Sequence, residues 1–102
     1  MKLRVHAEAE AELCLSALYY EDRRVGLGQD FFSCVSDCMA SILRAPMRFA
    51  RYEGLPLIHE FRRAIVDRFP YVVVFKLLDE DVLVVAVAHA RRRPGYWIDR
   101  RD

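Results

Sequence analysis

The chain has 102 residues, of which 54% are hydrophobic and 30% charged, and its formal net charge is +1. These values fit a single globular domain over residues 1–102 and exclude a disordered or low-complexity chain. The near-neutral net charge excludes an overall electrostatic field that would draw the protein onto nucleic acid. The longest apolar runs, such as residues 71–75, are too short to cross a bilayer, and residues 1–6 lack the apolar stretch of a signal peptide, so we expect a cytoplasmic protein without a membrane partner.

Two helices are predicted in the first half of the chain, after a short strand at residues 2–6. Residues 7–24 repeat apolar side chains at spacings of three and four, which predicts an amphipathic helix with polar side chains, among them Glu12, on its solvent side. The predicted buried stripe of this helix is Ala7, Ala11, Cys14, Leu15 and Leu18. The early glutamates suit the positive end of a helix dipole.

The glycines at positions 26 and 28 end this helix, and a second helix is expected from about residue 29 to residue 45, where Pro46 stops it. Its predicted buried face is Phe31, Phe32, Val35, Met39, Ile42 and Leu43. Because the connecting turn is short, the two helices are expected to pack as an antiparallel hairpin.

The second half of the chain has the pattern of strands. Residues 71–75 and 82–88 are rich in β-branched and aromatic side chains, and the short acidic segment 79–81 between them predicts an antiparallel hairpin. Residues 58–66 are a further strand candidate, and residues 48–52 are a candidate edge strand. The expected fold is therefore α+β, with a two-helix hairpin packed on one face of a mainly antiparallel sheet in the order β-α-α-β-β-β.

The cysteines of the chain point to packing rather than to chemistry. Cys14, Cys34 and Cys38 form no C-x-x-C motif, and no His or Asp follows them at a convincing ligand spacing. We therefore expect no metal and no cofactor, and we interpret the three thiols as small buried apolar side chains.

Several local patterns follow one another in an order that resembles a known family. The helical half has Glu12-Leu13, Tyr19-Tyr20-Glu21, Gly26-Leu27-Gly28, Phe31-Phe32 and Pro46. The strand half has Phe69-Pro70-Tyr71-Val72-Val73-Val74-Phe75, an acidic turn, Val85-Ala86-Val87-Ala88-His89, then Arg91-Arg92-Arg93-Pro94-Gly95-Tyr96-Trp97 and Arg100. Over nearly its whole length the chain resembles the RelE/ParE family of type II toxins, in the subgroup called plasmid stabilisation proteins.

This resemblance implies a toxin that a cognate antitoxin neutralises, and a toxin–antitoxin hetero-oligomer is a possible assembly. RelE-like members cleave messenger RNA in the ribosomal A site, whereas ParE-like members inhibit DNA gyrase. The expected partners are therefore an antitoxin protein and, as target, either DNA gyrase or the ribosome with its mRNA.

Metal-free RNA cleavage would need a proton acceptor, a cation beside the phosphorane and a proton donor. If the chain is such a nuclease, the candidates are Arg62 or Arg63, an arginine of 91–93, and Tyr96. RelE-like members carry a basic residue near the start of the long central strand, but here Lys76, near the far end, is the only base of that strand. We therefore favour a ParE-like toxin that acts by protein binding, with a ribosome-dependent mRNA endonuclease as the alternative and a non-toxic antitoxin-binding module as the second alternative.

Basic side chains of the second half are the candidate partner contacts, because 14 of the 16 bases are arginines and a guanidinium suits phosphate or carboxylate. Arg62 and Arg63 are expected to point to opposite faces of a strand, one towards the open side of the sheet and the other towards an acid such as Glu60 or Asp67, with solvated strand charges as the alternative. The run 91–93 either binds an acidic partner or stacks on Tyr96 and Trp97 to hold the tail. His89 ends the last strand, where an orienting hydrogen bond is more common than proton transfer. The predicted partner-binding set is Arg62, Arg63, His89, Arg91, Arg92 and Arg93.

Overall fold

The computed structural model describes residues 1–55 and 60–101. Its elements follow in the order strand β1 (Leu3–Val5), helix α1 (Ala7–Arg23), helix α2 (Leu27–Arg44), a 3₁₀ helix (Pro46–Arg48), and strands β2 (Arg62–Ile65), β3 (Tyr71–Leu78) and β4 (Asp81–His89). The predicted order β-α-α-β-β-β and the two central strands are confirmed. Of the predicted strand at 58–66, residues 62–65 are a strand, and residues 58 and 59 lie outside the described residues.

The four strands form one sheet in the order β1-β4-β3-β2. The β2–β3 and β3–β4 pairs are antiparallel, whereas β1 lies parallel to β4. A register shift between Val74 and Phe75 marks a β-bulge in the central pair. A bulge changes which backbone groups face a given edge of the strand, and this change matters for the candidate site.

The sheet is covered on both faces. The helical hairpin covers one face, where Leu13 of α1 and Val35 of α2 pack on Val73 and Phe75. The C-terminal tail covers the other face, where Trp97 packs among Val72, Val74 and Val85. Trp97 is fully buried and anchors the tail on this face. In the described residues, no helix is long and apolar enough to cross a membrane.

The prediction for the buried face of α1 is wrong. The helix buries Ala9 and Leu13 and packs Ala17 and Tyr20 partly against the core, whereas the predicted stripe of Ala7, Ala11, Cys14, Leu15 and Leu18 is exposed. Both sets recur at helical spacing, so the apolar pattern permits either rotation of the helix. The observed rotation turns Glu12, which was predicted to face solvent, towards β4.

Two smaller predictions also need correction. In α2 the buried residues include Phe31, Val35, Cys38 and Ile42, but the predicted core residues Phe32 and Leu43 are exposed. Of the cysteines only Cys38 is buried, whereas Cys34 is half-buried and Cys14 is exposed.

Among the described residues, the segment predicted as an edge strand at 48–52 makes a single bridge, between Arg51 and Arg62. Pro46 begins a 3₁₀ helix just before it, and this turn carries the chain away from the sheet edge.

The turn of the helical hairpin is held by the carboxylate of Glu21, which accepts bonds from the N–H groups of Gly26 (2.9 Å) and Gly28 (3.0 Å). Gly26 has a φ of 91°, which favours glycine. At Gly28 the constraint is space, because a Cβ atom there would lie 2.5 Å from the carbonyl oxygen of Ala17 in α1. Close packing of the two helices therefore requires glycine at position 28.

We expect Gly28→Ala to lower the free energy of unfolding by about 1–3 kcal/mol, because the added methyl group forces the two helices apart. Ser36→Ala, on the exposed side of the same helix, is the matched control and should change it by less than about 0.5 kcal/mol. Chemical denaturation of both variants measures the difference. Equal stability of Gly28→Ala and the wild type would contradict the close approach.

Candidate functional site

The carboxylate of Glu12 binds the C-terminal tail and strand β4 to helix α1. It accepts hydrogen bonds from the Val87 N–H (3.0 Å), the Tyr96 hydroxyl (2.7 Å) and Nη1 of Arg100 (3.0 Å). The Arg100 guanidinium also donates to the Val85 carbonyl (2.9 Å). The three bonds to Glu12 join residues that are 75 to 88 positions apart in the sequence.

The Glu12 cluster, which comprises Glu12, Tyr96 and Arg100, has strong electrostatic coupling. Burial alone would lower the pKa of Arg100, but the bond and charge of Glu12 outweigh it, and the pKa is raised. Burial raises the pKa of Tyr96 above its usual range, and the bond to the Glu12 carboxylate raises it further. A phenol with a raised pKa is a weaker acid, which makes Tyr96 a poor proton donor at neutral pH.

Arg92 belongs to the same packing rather than to a free basic patch. Its guanidinium lies 3.7 Å from the ring centre of Tyr96 and 3.7 Å from the Glu12 carboxylate. Residues 91–93 were predicted either to bind an acidic partner or to stack on the tail, and Arg92 stacks on the tail. Arg91 and Arg93 are exposed, and neither forms an ion pair within the described part of the chain.

His89 is used to form a turn. Its Nδ1 atom accepts the Arg91 N–H (3.1 Å), and its ring packs edge-on against Tyr71. This is the orienting role that its place at a strand end indicated.

Arg62 and Arg63 lie on opposite faces of β2, as expected for neighbours in a strand. Nη1 of Arg62 donates to the Phe49 carbonyl (2.6 Å) on the helical side. Arg63 lies over the ring of Tyr52 at 5.7 Å on the tail side. The expected pairing with Glu60 or Asp67 is wrong, because Glu60 pairs with Arg51, and Asp67 has no ion pair among the described residues.

The nuclease candidates do not all come together around one point: Arg92 lies beside Tyr96, but Arg62 and Arg63 lie apart from them. Arg62 and Arg63 lie on the edge strand β2, whereas Tyr96 binds Glu12 at the outer edge of β4. The spacing of strands separates β2 from β4 by about 10 Å. Lys76, the base of β3, lies over the Phe61 ring at 5.7 Å. Acid, base and cation must act within hydrogen-bonding distance of the same phosphate, and this arrangement does not provide that geometry.

A broad apolar surface lies instead on the helical hairpin. We call it the outer face and define it as Cys14, Leu15, Leu18, Val25 and Phe32. Leu15 is 68% exposed, Leu18 61%, Val25 91% and Phe32 44%. Four of these residues line one shallow depression beside Gly26 and Gly28, namely Cys14, Leu18, Val25 and Phe32. A clustered apolar surface of this kind on a small protein is a candidate interaction site.

The model of the family described as "ParE toxin of type II toxin-antitoxin system, parDE" matches residues 3–94. The chain belongs to the ParE toxin family. Toxin ParE2 from two strains of Mycobacterium tuberculosis is similar to it, with 28% identity over 95 residues that cover 92% of this chain and 86% of the relative. A solved structure titled "Chromosomal ParDE TA system from P. aeruginosa" contains a chain with the same fold, at a TM-score of 0.64 and 16% identity, covering 87% of this chain and 95% of that one.

Membership of the ParE family confirms the resemblance seen in the sequence, but sequence reasoning missed the Glu12 cluster. Glu12 was assigned to the solvent side of α1, and Arg100 was noted only as part of the motif. The signal that could have found the cluster was the pairing of a helical acid with a tail that holds tyrosine and arginine, Tyr96 and Arg100. No local spacing connects these residues.

We expect Glu12→Gln to lower the free energy of unfolding by about 2–4 kcal/mol, since the mostly buried guanidinium of Arg100 then keeps only the exposed Glu8 carboxylate, 3.6 Å away, as a counter-charge. Glu10→Gln, two residues away and exposed, is the control and should stay within about 0.5 kcal/mol of the wild type. Urea denaturation provides both values. A loss in Glu12→Gln no larger than that of the control would show that the cluster contributes nothing to stability.

Proposed function

We propose that this ParE-family toxin is neutralised by a cognate antitoxin and acts by binding DNA gyrase, not by cleaving mRNA. The observation that supports this most directly is the outer face of the helical hairpin. It presents large apolar side chains with no covering element in the described part of the chain. Such a surface is suited to binding another protein, because apolar side chains contribute most when a partner removes them from water.

The absence of a converging acid–base set in the described residues also favours protein binding. Tyr96 donates its hydroxyl to Glu12, and Arg92 stacks on Tyr96. Arg63 reaches Tyr52, whose ring packs on Trp97, so two aromatic rings separate it from Tyr96. Loss of one positioned donor typically lowers an enzyme's rate about 10²–10³-fold, so this arrangement would make a weak nuclease.

The proposed antitoxin partner follows from the family and from the names of similar proteins. The family model describes toxins of type II toxin–antitoxin systems, and the similar solved structure is titled a ParDE system. We assign the outer face to the antitoxin, as the surface that covers its apolar side chains. The exposed arginines Arg63, Arg91 and Arg93 would supply charge complementarity to carboxylates of the partners. Arg62, Arg92 and His89 already bind groups of the toxin itself, and we give them a supporting role.

Two activity assays on the purified toxin test the proposed target. We expect it to inhibit supercoiling by DNA gyrase and to leave mRNA intact on programmed ribosomes. Specific A-site cleavage that disappears in Arg62→Ala, Arg63→Ala or Tyr96→Phe would reverse this assignment in favour of the endonuclease. Inactivity in both assays, together with binding to the antitoxin, would instead favour a module without toxicity.

Substitutions on the outer face test the antitoxin-binding surface. We expect Leu18→Glu and Phe32→Glu each to weaken binding of the cognate antitoxin about 30-fold, because a carboxylate would be buried in an apolar contact. Met47→Glu is the control, since Met47 is equally exposed at 64% but lies outside the outer face. Calorimetric titration gives the dissociation constants. Equal loss in all three variants, or none, would refute the assignment of this surface.

A further inference from the structure

The tail side of the sheet contains a row of packed aromatic rings. The rings of Tyr52, Phe61 and Tyr96 each pack edge-on against Trp97, with ring centres 4.9, 6.4 and 5.1 Å from it. Phe61 and Trp97 are buried, whereas Tyr52 and Tyr96 are half-buried. Because the rings pack against one another, the row is a rigid support for the side chains that lie over it.

Two cations lie over the outer rings of this row. The guanidinium of Arg63 lies 5.7 Å from the ring centre of Tyr52, and the ammonium group of Lys76 lies 5.7 Å from that of Phe61. Arg63 is exposed and Lys76 is half-buried. A cation attracted to a ring is restricted in position before a partner arrives, so it loses less conformational entropy when it binds an anion.

No ion pair within the described part of the chain neutralises the cations that we call the basic face and define as Arg63, Lys76, Arg91 and Arg93. Arg91 and Arg93 are exposed in the turn that leads from β4 into the tail. These cations are therefore available to the carboxylates of another molecule.

Acids are scarce around the basic face. The one acid in strands β2, β3 and β4 is Asp81, which pairs with an arginine of β1 over 3.6 Å. The tail at residues 90–101 has five arginines and a single acid, Asp99, and the loop before β2 adds Glu53. The acidic residues 79 and 80 lie in the turn beyond the end of β3. The basic face is thus a local excess of positive charge on a chain whose net charge is only +1.

The basic face and the outer face lie on opposite sides of the sheet. Arg63 pairs across the strands with Val74, whose side chain packs with Trp97 under the tail, whereas the helices pack on Val73 and Phe75. Neighbouring residues of a strand point to opposite faces, so the sheet itself separates the two surfaces. A partner on the apolar outer face does not need these cations, and they remain available to a second partner.

We propose that the toxin binds DNA gyrase through the basic face, which fits an acidic patch on the surface of that protein, and binds the antitoxin through the outer face. This inference rests on the proposed target and assigns it one side of the toxin. Arginine forms paired hydrogen bonds with a carboxylate, so three arginines and a lysine select a surface rich in Asp and Glu. A nucleic-acid strand is the less suitable occupant, because its binding depends on many phosphate contacts and the chain has a net charge of only +1.

Charge reversal in the full-length toxin tests this assignment. We expect Arg91→Glu combined with Arg93→Glu to raise the toxin concentration that half-inhibits gyrase supercoiling about 10-fold or more, and Arg63→Glu to act in the same direction. The dissociation constant for the antitoxin, measured by calorimetric titration, should stay within about 2-fold of the wild type, which also shows that the variants are folded. The matched control is Arg24→Glu combined with Arg48→Glu, which makes the same change in net charge on exposed arginines outside the basic face and should leave inhibition unchanged.

Inhibition at the wild-type level in both the variant at positions 91 and 93 and Arg63→Glu overturns this inference alone. An equal loss of inhibition in the control also overturns it, because the effect would then come from net charge. A parallel loss of antitoxin binding overturns the division between the two faces. Fluorescence anisotropy with a labelled DNA duplex and no gyrase gives the remaining comparison, since tight binding that the same variants abolish would identify nucleic acid as the occupant. A wild-type toxin that does not inhibit gyrase overturns the inference together with the proposed target.

Discussion

Within the described part of the chain, no strand lies beside the outer edge of β4 beyond Val84, and the Glu12 carboxylate together with the Arg100 guanidinium takes the place of one. Strand β1 ends at Val5, opposite Val84, and α1 begins two residues later. After the bulge, the Val85 carbonyl and Val87 N–H face this edge and bind Arg100 and Glu12. Because unpaired backbone groups in a buried position cost free energy, this one carboxylate determines the rotation of α1 and the docking of the tail.

The same interaction limits the chemistry that the tail can perform. Tyr96 and Arg92, which belong to the candidates for the nuclease alternative, hold the tail against α1 through Glu12. A residue that maintains packing can also act in catalysis only if its bond opens towards substrate. The exposed arginines Arg63, Arg91 and Arg93 remain available, and such side chains suit contact with the carboxylates of another protein. This arrangement favours the proposed protein binding over phosphate transfer.

The sequence predicts those parts of the fold that depend on local pattern. The hairpin of β3 and β4 follows from two β-branched runs around an acidic turn, and Gly26 with Gly28 predicts where the helices separate. The rotation of α1 could not be predicted, because Ala9, Leu13, Ala17 and Tyr20 form one apolar stripe and Ala11, Leu15 and Leu18 another. Local pattern ranks these stripes about equally. The choice between them is made by Glu12 and β4, which lie 75 residues apart in the sequence.

A helix with two apolar stripes leaves one of them exposed to water when the protein is alone. Burying the α1 stripe of Ala9 and Leu13 leaves Leu15 and Leu18 in water, where each forgoes about 1.5–3 kcal/mol of transfer free energy. A monomer with no partner would gain solubility at no structural cost by replacing them with polar residues, since neither contributes to the core. The second stripe has a physical reason only if another protein covers it for much of the toxin's lifetime. The incorrect prediction for α1 thus agrees with the proposed interface: the sequence pattern is that of a buried surface, and in the proposed complex the antitoxin buries it.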